Sequence, residues 1–246
     1  MPVGVLVNVL SVVLGGALGA LFGGRLSEDF KEKLNMIFGC CSMAMGISTI
    51  VLMENMPAVV FSVIIGTALG LAVHLGSSID RAAAAMQKAV SRLLPVRSGL
   101  PQAEYNATLV TVIVLFCASG TGIYGSIVAG MTGDHSILIA KSILDLFTAL
   151  IFACTLGPVV SAIALPQAVI FLALFACAGA IFPLTTPAMI NDFKACGGIL
   201  LLCTGFRILK VKAFPIADMI PAMVLVMPVS WLWAARIAPL VASLAG

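Results

Sequence analysis

Charged residues are scarce in this sequence. Only 9% of its 246 residues are Asp, Glu, Lys or Arg, whereas soluble domains carry about 25%. Because 61% of the residues are hydrophobic, the chain lacks the polar side chains that a water-facing surface requires. Apolar runs of about 18 or more residues recur from end to end, and each is long enough to cross a bilayer. The composition predicts an all-α, polytopic transmembrane helical bundle in the lipid bilayer.

Several patterns that carry chemistry are also missing. No Lys or Arg precedes the first apolar run. Because secretory signal peptides begin with a basic segment, we do not expect this run to be a signal peptide. The seven cysteines show neither CxxC nor Cys/His spacing, so we expect free thiols rather than disulfides or a metal site. The HExxH, GxSxG and P-loop motifs do not occur. We therefore expect no enzyme activity and no cofactor, and the loop positions of the basic residues argue against nucleic acid as a partner.

The apolar runs predict about eight spans in one integral membrane domain, residues 1–246. These spans are residues 3–22, 34–53, 57–75, 105–131, 136–156, 158–182, 195–209 and 214–235. Between the third and fourth spans, residues 77–94 carry apolar side chains every three or four positions, which predicts an amphipathic helix lying in the membrane interface. A short solvated helix linking two halves is the alternative.

The distribution of Lys and Arg predicts which loops face the cytoplasm. Ten of the thirteen Lys and Arg residues fall in the first, third and seventh loops. They are Arg25, Lys31, Lys33, Arg81, Lys88, Arg92, Arg97, Arg207, Lys210 and Lys212. Because cytoplasmic loops of membrane proteins are enriched in Lys and Arg, we expect these loops inside and both termini outside.

The first three spans resemble the last three. The matching pieces are GALF (19–22) with GAIF (179–182), Gly39 and Gly46 with Gly198 and Gly205, and MPAVV (56–60) with IPAMV (220–224). An offset of five spans gives the two copies opposite orientations, as in the inverted repeats of secondary transporters. The prediction is two three-span repeats, residues 1–75 and 158–235, flanking a central helix pair at 105–156. Glycine and proline placed for packing alone are the alternative explanation.

The fourth predicted span contains the sequence SGTGIYGS. Three glycines, Gly120, Gly122 and Gly125, interrupt the helical pattern, and Ser119, Thr121 and Ser126 supply hydroxyl groups. Non-helical backbone persists at membrane depth only where protein or water satisfies its polar groups. The segment therefore indicates either a broken helix that offers polar groups to an ion or solute, or close helix packing through small residues.

The first span contains the glycine pattern Gly15-x-x-x-Gly19-x-x-x-Gly23. This pattern favours close helix packing and permits a homo-oligomer.

The fifth predicted span contains opposite charges. Asp134, Lys141 and Asp145 share one helical face, and Asp145 lies roughly 16 Å along the axis from Asp134, near the bilayer midplane. Lys141 precedes Asp145 by four residues and is within pairing reach. A lone charge at this depth costs about 2.5–3.5 kcal/mol on insertion scales. The pattern favours a polar pathway; snorkelling of Lys141 or a purely structural ion bridge are the alternatives.

Three more polar residues lie within predicted spans: Asn8, Gln167 and Asp218. Each is a candidate to line the same polar pathway. Hydrogen bonding to a neighbouring helix is the simpler expectation for all three, because a polar group in hydrocarbon requires a partner.

Four parts of the sequence form a recognisable set: SGTGIYGSIVAGMTGD, KSILD and TLG within residues 119–161, CGGILLLCTG (196–205), IADMIPAM (216–223) and Asn8. With these motifs the chain resembles the DUF554 family of bacterial inner-membrane proteins. The resemblance implies a multi-pass protein of the bacterial plasma membrane and implies no particular activity. Where the family is expected to have Asn, this sequence has Asp218.

These patterns together predict a secondary transporter or permease for an ion or small polar solute. An ion or proton passing Asp145 would weaken its pairing with Lys141 and so couple binding to a change of access. A channel lined by the same residues is the first alternative. A scaffold or sensor that uses residues 77–94 to bind a partner or anionic lipid is the second.

Overall fold

The computed structural model describes residues 1–22, 27–93 and 101–245. Gly23, Arg25, Pro95 and Arg97 lie outside these ranges. The described part of the chain contains helices and turns but no strand, which confirms the all-α prediction. Helices satisfy their backbone polar groups internally and are therefore suited to a bilayer.

Twelve α-helices occur in the described ranges. They are α1 (Val3–Phe22), α2 (Glu28–Ile50), α3 (Met56–Ala72), α4 (Leu75–Leu93), α5 (Gln102–Cys117), α6 (Gly120–Thr132), α7 (Ser136–Leu156), α8 (Val159–Ala162), α9 (Ala164–Ile181), α10 (Pro187–Ile208), α11 (Ile216–Leu232) and α12 (Ala238–Ala245). A 3₁₀ turn (Phe182–Leu184) follows α9, and a π-helical turn (Trp233–Ile237) joins α11 to α12.

Seven helical stretches of the described chain are long and apolar enough to cross a membrane, and α3 makes an eighth if it is counted together with α4, from which it is bent by 60°. Large apolar side chains such as Leu10, Ile64 and Val169 are more than half exposed on these helices. Such extensive apolar exposure is unusual for a water-soluble monomer. The fold is that of a polytopic helical membrane protein.

Two predicted span boundaries are wrong. The seventh span was predicted to start at residue 195, but α10 begins at Pro187, because the Thr186 side chain accepts the Met189 N–H and a proline occupies the first turn. The second span was predicted to start at residue 34, but α2 begins at Glu28. In both cases charged residues that suggested a loop lie within the first turns of a helix.

The helix predicted at residues 77–94 is α4, and its apolar face contacts protein. Ala83 and Val90 are buried in one cluster with Tyr105 and Leu109 of α5. Gln87 donates a hydrogen bond of 3.1 Å to Asn106 on α5. The apolar stripe thus covers the surface of α5, while Arg81 of the opposite face is exposed.

The described helices form two compact units. Unit 1 comprises Met1–Phe38 and Ser77–Ala180, and unit 2 comprises Gly39–Gly76 and Ile181–Gly246. Unit 1 therefore contains the first helix of each predicted repeat, α1 and α9, together with the central helices. Unit 2 contains most of α2, with α3, α10 and α11. Each unit combines parts of both predicted repeats.

Within unit 1, α1 packs closely against α7. A Cβ atom at Gly15 would lie 2.2 Å from the Leu146 carbonyl oxygen, and one at Gly19 would lie 2.1 Å from that of Leu150. Residue numbers rise together on the two helices, because Gly15 faces Leu146 and Gly19 faces Leu150, so α1 and α7 are parallel. The glycine seam is therefore occupied by α7, and packing, rather than self-association, explains Gly15 and Gly19.

Within unit 2, α2 and α10 cross at glycines in an antiparallel arrangement. A Cβ at Gly46 would lie 2.6 Å from the Gly198 oxygen, and one at Gly198 would lie 2.7 Å from the Gly46 oxygen. Gly39 and Gly205 make the same reciprocal approach. Between these two contacts, Ser42 donates a 3.0 Å hydrogen bond to the Leu201 oxygen. The backbones meet this closely because neither partner has a side chain at the crossing.

Candidate functional site

The described part of unit 1 contains a buried ion pair on α7. Lys141 and Asp145 are 3% and 7% exposed, and the Lys141 ammonium contacts Asp145 Oδ2. Asp145 is the tenth of the 21 residues of α7, roughly 14 Å along the axis from its start. Both side chains are turned into the protein and away from lipid, and Lys141 does not snorkel to the interface. The pairing predicted from the four-residue spacing is present.

Two amide side chains extend the ion pair into a chain of polar groups. Asn8 of α1 donates through Nδ2 to Asp145 Oδ2 at 2.8 Å. Gln167 of α9 donates through Nε2 to Asn8 Oδ1, also at 2.8 Å. Both amides are completely buried. Asn8 and Gln167, for which hydrogen bonding to a neighbouring helix was the simpler expectation, are therefore brought together with the charged pair by three different helices.

Two phenylalanine rings flank the lysine ammonium. Lys141 Nζ lies 5.9 Å from the ring centroid of Phe116 and 6.0 Å from that of Phe171. Cation–π attraction operates within about 6 Å. Gly122 fixes one ring, because a Cβ there would lie 2.1 Å from the Phe171 Cζ atom. Gly122 thus allows α6 to approach the ring that faces Lys141.

The fourth predicted span is broken at Ala118 and Ser119, before the glycines that were expected to interrupt it, since Gly120, Gly122 and Gly125 all lie within α6. Helix α5 ends at Cys117, and α6 begins at Gly120 with Ser119 as its N-cap. The Ser119 hydroxyl accepts the Gly122 N–H at 3.1 Å. The last turn of α5, which contains Phe116, therefore ends beside the Lys141 ammonium. Carbonyl groups in the last turn of a helix have no intrahelical partner, and this end of the helix dipole favours a cation.

The other residues of the SGTGIYGS segment serve packing. The Ser126 hydroxyl donates to the Gly122 oxygen of its own helix at 2.7 Å. A Cβ at Gly125 would lie 3.0 Å from the Leu138 side chain. Thr121 is buried. Gly122 and Gly125 therefore allow close contact with neighbouring side chains and do not interrupt α6.

Two predicted residues lie away from the ion pair. The Asp134 carboxylate accepts the Ser136 N–H at 3.0 Å just before α7, whose N-cap is His135. Asp218 of α11, in unit 2, accepts the Gly76 N–H at 2.7 Å at the start of α4. Hydrogen bonding to another helix was the simpler expectation for Asp218, and the structure places it in such a bond.

Sequence reasoning missed Asp192, a completely buried carboxylate in unit 2. Its Oδ1 accepts the backbone N–H groups of Glu54 and Asn55, and its Oδ2 accepts Asn55 Nδ2 and the Ser230 hydroxyl, all at 2.6–2.9 Å. Asp192 lies between the sixth and seventh predicted spans, where a short polar run suggests a loop. The signal that identifies it is Thr186-Pro187, an N-cap followed by proline, which begins the helix before Asp192.

We predict that Asp192→Asn lowers the free energy of unfolding by about 2–4 kcal/mol, because a charged acceptor of four hydrogen bonds is replaced by an amide with one acceptor oxygen. Thermal unfolding of the purified protein measures the loss. Asp29→Asn is the matched control, because Asp29 forms a pair with Lys33 in which both side chains are 72% exposed, and such surface pairs contribute little. Equal stability of the two variants would contradict the role given to Asp192.

The geometry defines a class: a multi-pass helical membrane protein with a buried, hydrogen-bonded ion pair. The chain belongs to the DUF554 family, whose model, described as a protein of unknown function, matches residues 3–231. Its sequence is 46% identical over 237 residues to the "Uncharacterized protein YqgA" of Escherichia coli strain K12, covering 96% of this chain and 99% of that protein.

A second relative is more distant. The "Uncharacterized membrane protein YdfK" of Bacillus subtilis strain 168 is 26% identical over 229 residues, which cover 90% of this chain and 93% of that protein. No solved structure matches the chain. The family predicted from the sequence motifs is confirmed, and the name of the second relative agrees with the membrane character of the fold.

Proposed function

We propose that this protein is a secondary transporter that moves an ion or small polar solute past the Lys141–Asp145 pair. The observation that carries the proposal is the burial of two opposite charges and two amides near the middle of α7. Ionisable residues at this depth are costly, and they mark ion and substrate pathways in membrane proteins. Apolar side chains of similar volume often stabilise a protein as well as a buried ion pair does. Stability alone is therefore a weak reason for the presence of this cluster.

The broken helix supports the same function. Transporters place their binding sites beside discontinuous helices, where free helix ends contact ions and substrates. Here the break at Ala118–Ser119 is linked to the ion pair through two rings, since Phe116 lies in the last turn of α5 and Phe171 contacts Gly122 of α6. A movement of either half-helix therefore changes the surroundings of Lys141.

The helix contacts support an inverted repeat. In unit 2, Ser42 bonds to Leu201, and in unit 1, Asn8 bonds to Gln167. Both pairs are separated by 159 residues, which is also the offset between Gly39 and Gly198. Such contacts between equivalent positions are expected where two copies of a repeat meet near a pseudo-two-fold axis. Inverted repeats of this kind underlie alternating access in many transporters.

The proposal includes placement in the bacterial plasma membrane with both termini outside. The excess of Lys and Arg in the first, third and seventh predicted loops supports this orientation. The directions of neighbouring helices support eight alternating spans. Helix α1 is parallel to α7, because residue numbers rise together on both helices at their contacts. It is antiparallel to the segment formed by α8 and α9, because Val13 bonds to Ser161 and the earlier Asn8 bonds to the later Gln167.

In the proposed mechanism, Asp145 is the binding group and Lys141 is its resident counter-ion. With no substrate bound, the pair is electrically neutral, which limits the cost of burying Asp145. A substrate that binds Asp145 displaces the Lys141 ammonium. Because Lys141 contacts rings attached to α5 and α9, its displacement alters the packing of these helices against α7. This change couples occupancy of the site to a change of access.

Uptake into proteoliposomes tests the proposal. The radiolabelled probes are Na⁺, K⁺, glycine and succinate, which cover the cationic, zwitterionic and anionic classes. We predict saturable uptake of at least one probe by the wild-type protein and a loss of at least tenfold in Asp145→Asn, which retains the size of the side chain and an acceptor for Asn8. Asp29→Asn, with its exposed carboxylate, should transport at the wild-type rate.

Three outcomes would overturn the proposal. One is uptake of every probe at the rate of protein-free liposomes, and another is unchanged uptake by Asp145→Asn. The third is single-channel current in planar bilayers, which would identify a channel lined by the same residues.

A further inference from the structure

The buried cluster in unit 1 contains oxygen atoms that lack a donor. Gln167 is completely buried, yet its Oε1 accepts no hydrogen bond from any described residue. Both hydrogen bonds that the Asp145 carboxylate accepts from described residues end on Oδ2, so Oδ1 is also without a donor there. A fully buried acceptor without a donor, such as Gln167 Oε1, is destabilising. Such an atom in a native cluster calls for an explanation such as a bound ion.

We propose that Asp145 Oδ1 and Gln167 Oε1, with Asn8 Oδ1 between them, bind one dehydrated Na⁺ ion; this inference rests on the transport function proposed above and names its ion. Carboxylate and carbonyl oxygens are the ligands that hard cations prefer. The three side chains come from α1, α7 and α9, and the 2.8 Å hydrogen bonds through Asn8 hold them together. The three side chains are therefore already in contact before the ion arrives.

The charge of the cluster selects a monovalent ion. Lys141 and Asp145 sum to zero, so a bound Na⁺ leaves one net positive charge in the protein interior, whereas a divalent ion would leave two. Because burial of charge is costly, the monovalent ion is favoured. The short hydrogen-bonded links between the three ligands also favour a small ion over K⁺.

Na⁺ on Asp145 Oδ1 weakens the pairing of Oδ2 with Lys141, and the surroundings of Lys141 then stabilise its ammonium group. The ammonium already lies about 6 Å from the centres of the Phe116 and Phe171 rings, and ring faces attract cations. Phe116 lies in the last turn of α5, and the C-terminal end of a helix carries the negative end of its dipole. Lys141 thus retains aromatic partners for its charge when its pairing with the carboxylate weakens.

Ion-dependent stability of the full chain in detergent tests the site without any transport assay. The intrinsic fluorescence of Trp231 and Trp233 reports thermal unfolding while choline chloride is replaced by NaCl or KCl at constant ionic strength. A ligand that binds only the folded state raises its stability in a saturable way. We expect the unfolding midpoint to rise saturably with Na⁺, with at least tenfold more K⁺ needed for the same rise.

Variants of the glutamine locate the effect. Gln167→Leu removes the oxygen and should raise the Na⁺ concentration for half-maximal stabilisation at least tenfold. If that variant does not fold, Gln167→Asn, which withdraws the oxygen by one methylene, should show the same loss. Gln102→Leu is the control, because Gln102 is an exposed amide at the start of α5 and should leave the Na⁺ response unchanged.

The outcomes separate this site from the transport function. No Na⁺-specific shift, or an equal shift in the wild type and in folded Gln167 variants, overturns the Na⁺ site even if the protein transports a probe. A Na⁺ shift that is lost in the Gln167 variants supports the site. If the same protein carries none of the four probes, the transport proposal falls while the Na⁺ site stands.

Discussion

Asp145→Leu should lower the free energy of unfolding by about 3–5 kcal/mol, because it leaves the Lys141 ammonium buried without a counter-charge. Lys141 is only 3% exposed and is placed among Phe116, Phe171 and α7, so it cannot reach water without repacking its neighbours. Loss of Asp145 also removes the acceptor of the Asn8 Nδ2 donor. Reversible unfolding in mixed detergent measures the change.

The double variant Lys141→Met with Asp145→Asn separates stability from function. It removes both charges, keeps an acceptor for Asn8 and preserves the approximate volumes, so its stability should return to within about 1 kcal/mol of the wild type. Uptake by this stable protein should nevertheless be abolished. A double variant that transports at the wild-type rate would show that the pair is a structural ion bridge.

Gly19→Ala should destabilise the protein by about 2–3 kcal/mol, near the upper end of the range for overpacked cores. The added Cβ would lie 2.1 Å from the Leu150 oxygen and 2.8 Å from the Ala153 Cβ, and helix backbones yield less readily than a flexible side chain. Thermal unfolding measures the cost. Because α1 and α7 also present Asn8 and Asp145 to each other, the same variant should weaken Na⁺ stabilisation.

Gly179→Ala is the matched control for Gly19→Ala. Gly179 is the equivalent glycine of the second predicted repeat, yet a Cβ added there meets no atom within 4 Å. The exchange should therefore leave stability unchanged or raise it by up to about 1 kcal/mol, since alanine is the better helix former. Comparable destabilisation by the two substitutions would contradict the close approach of α1 to α7.

The sequence predicts the charged pair because helix geometry is local. A spacing of four residues places Lys141 and Asp145 on one face whatever else the chain does. The break before Gly120 is also local, since glycine and serine weaken a helix and favour an N-cap. For such features, the pattern along one segment contains nearly all the information that decides the structure.

The partners of the pair could not be predicted in this way. Asn8 and Gln167 are 159 residues apart and meet only through the packing of α1 against α9. Phe116 and Phe171 are two of thirteen phenylalanines, and in helices that are apolar on every side no periodicity distinguishes an inward ring from a lipid-facing one. Tertiary contacts, rather than local propensity, select these residues.

Asp192 shows a different limit. A short polar run next to an apolar segment usually indicates a loop, and that rule placed the seventh span too late in the chain. Here the polar residues lie inside α10, because Asp192 satisfies four donors from the segment before α3 and from α11. Hydrogen-bond partners that are distant in sequence make the Asp192 carboxylate acceptable inside α10.

The parallel pairing of α1 with α7 has a consequence for biogenesis. Gly15 leaves the ribosome 131 residues before Leu146, and at about 5–20 residues per second this interval lasts roughly 7–26 seconds. Throughout that time the newly inserted first helix must keep the Asn8 amide in the translocon or lipid without its carboxylate partner. Correct assembly of this protein therefore requires α1 to remain inserted, with Asn8 unpaired, until α7 has been synthesised.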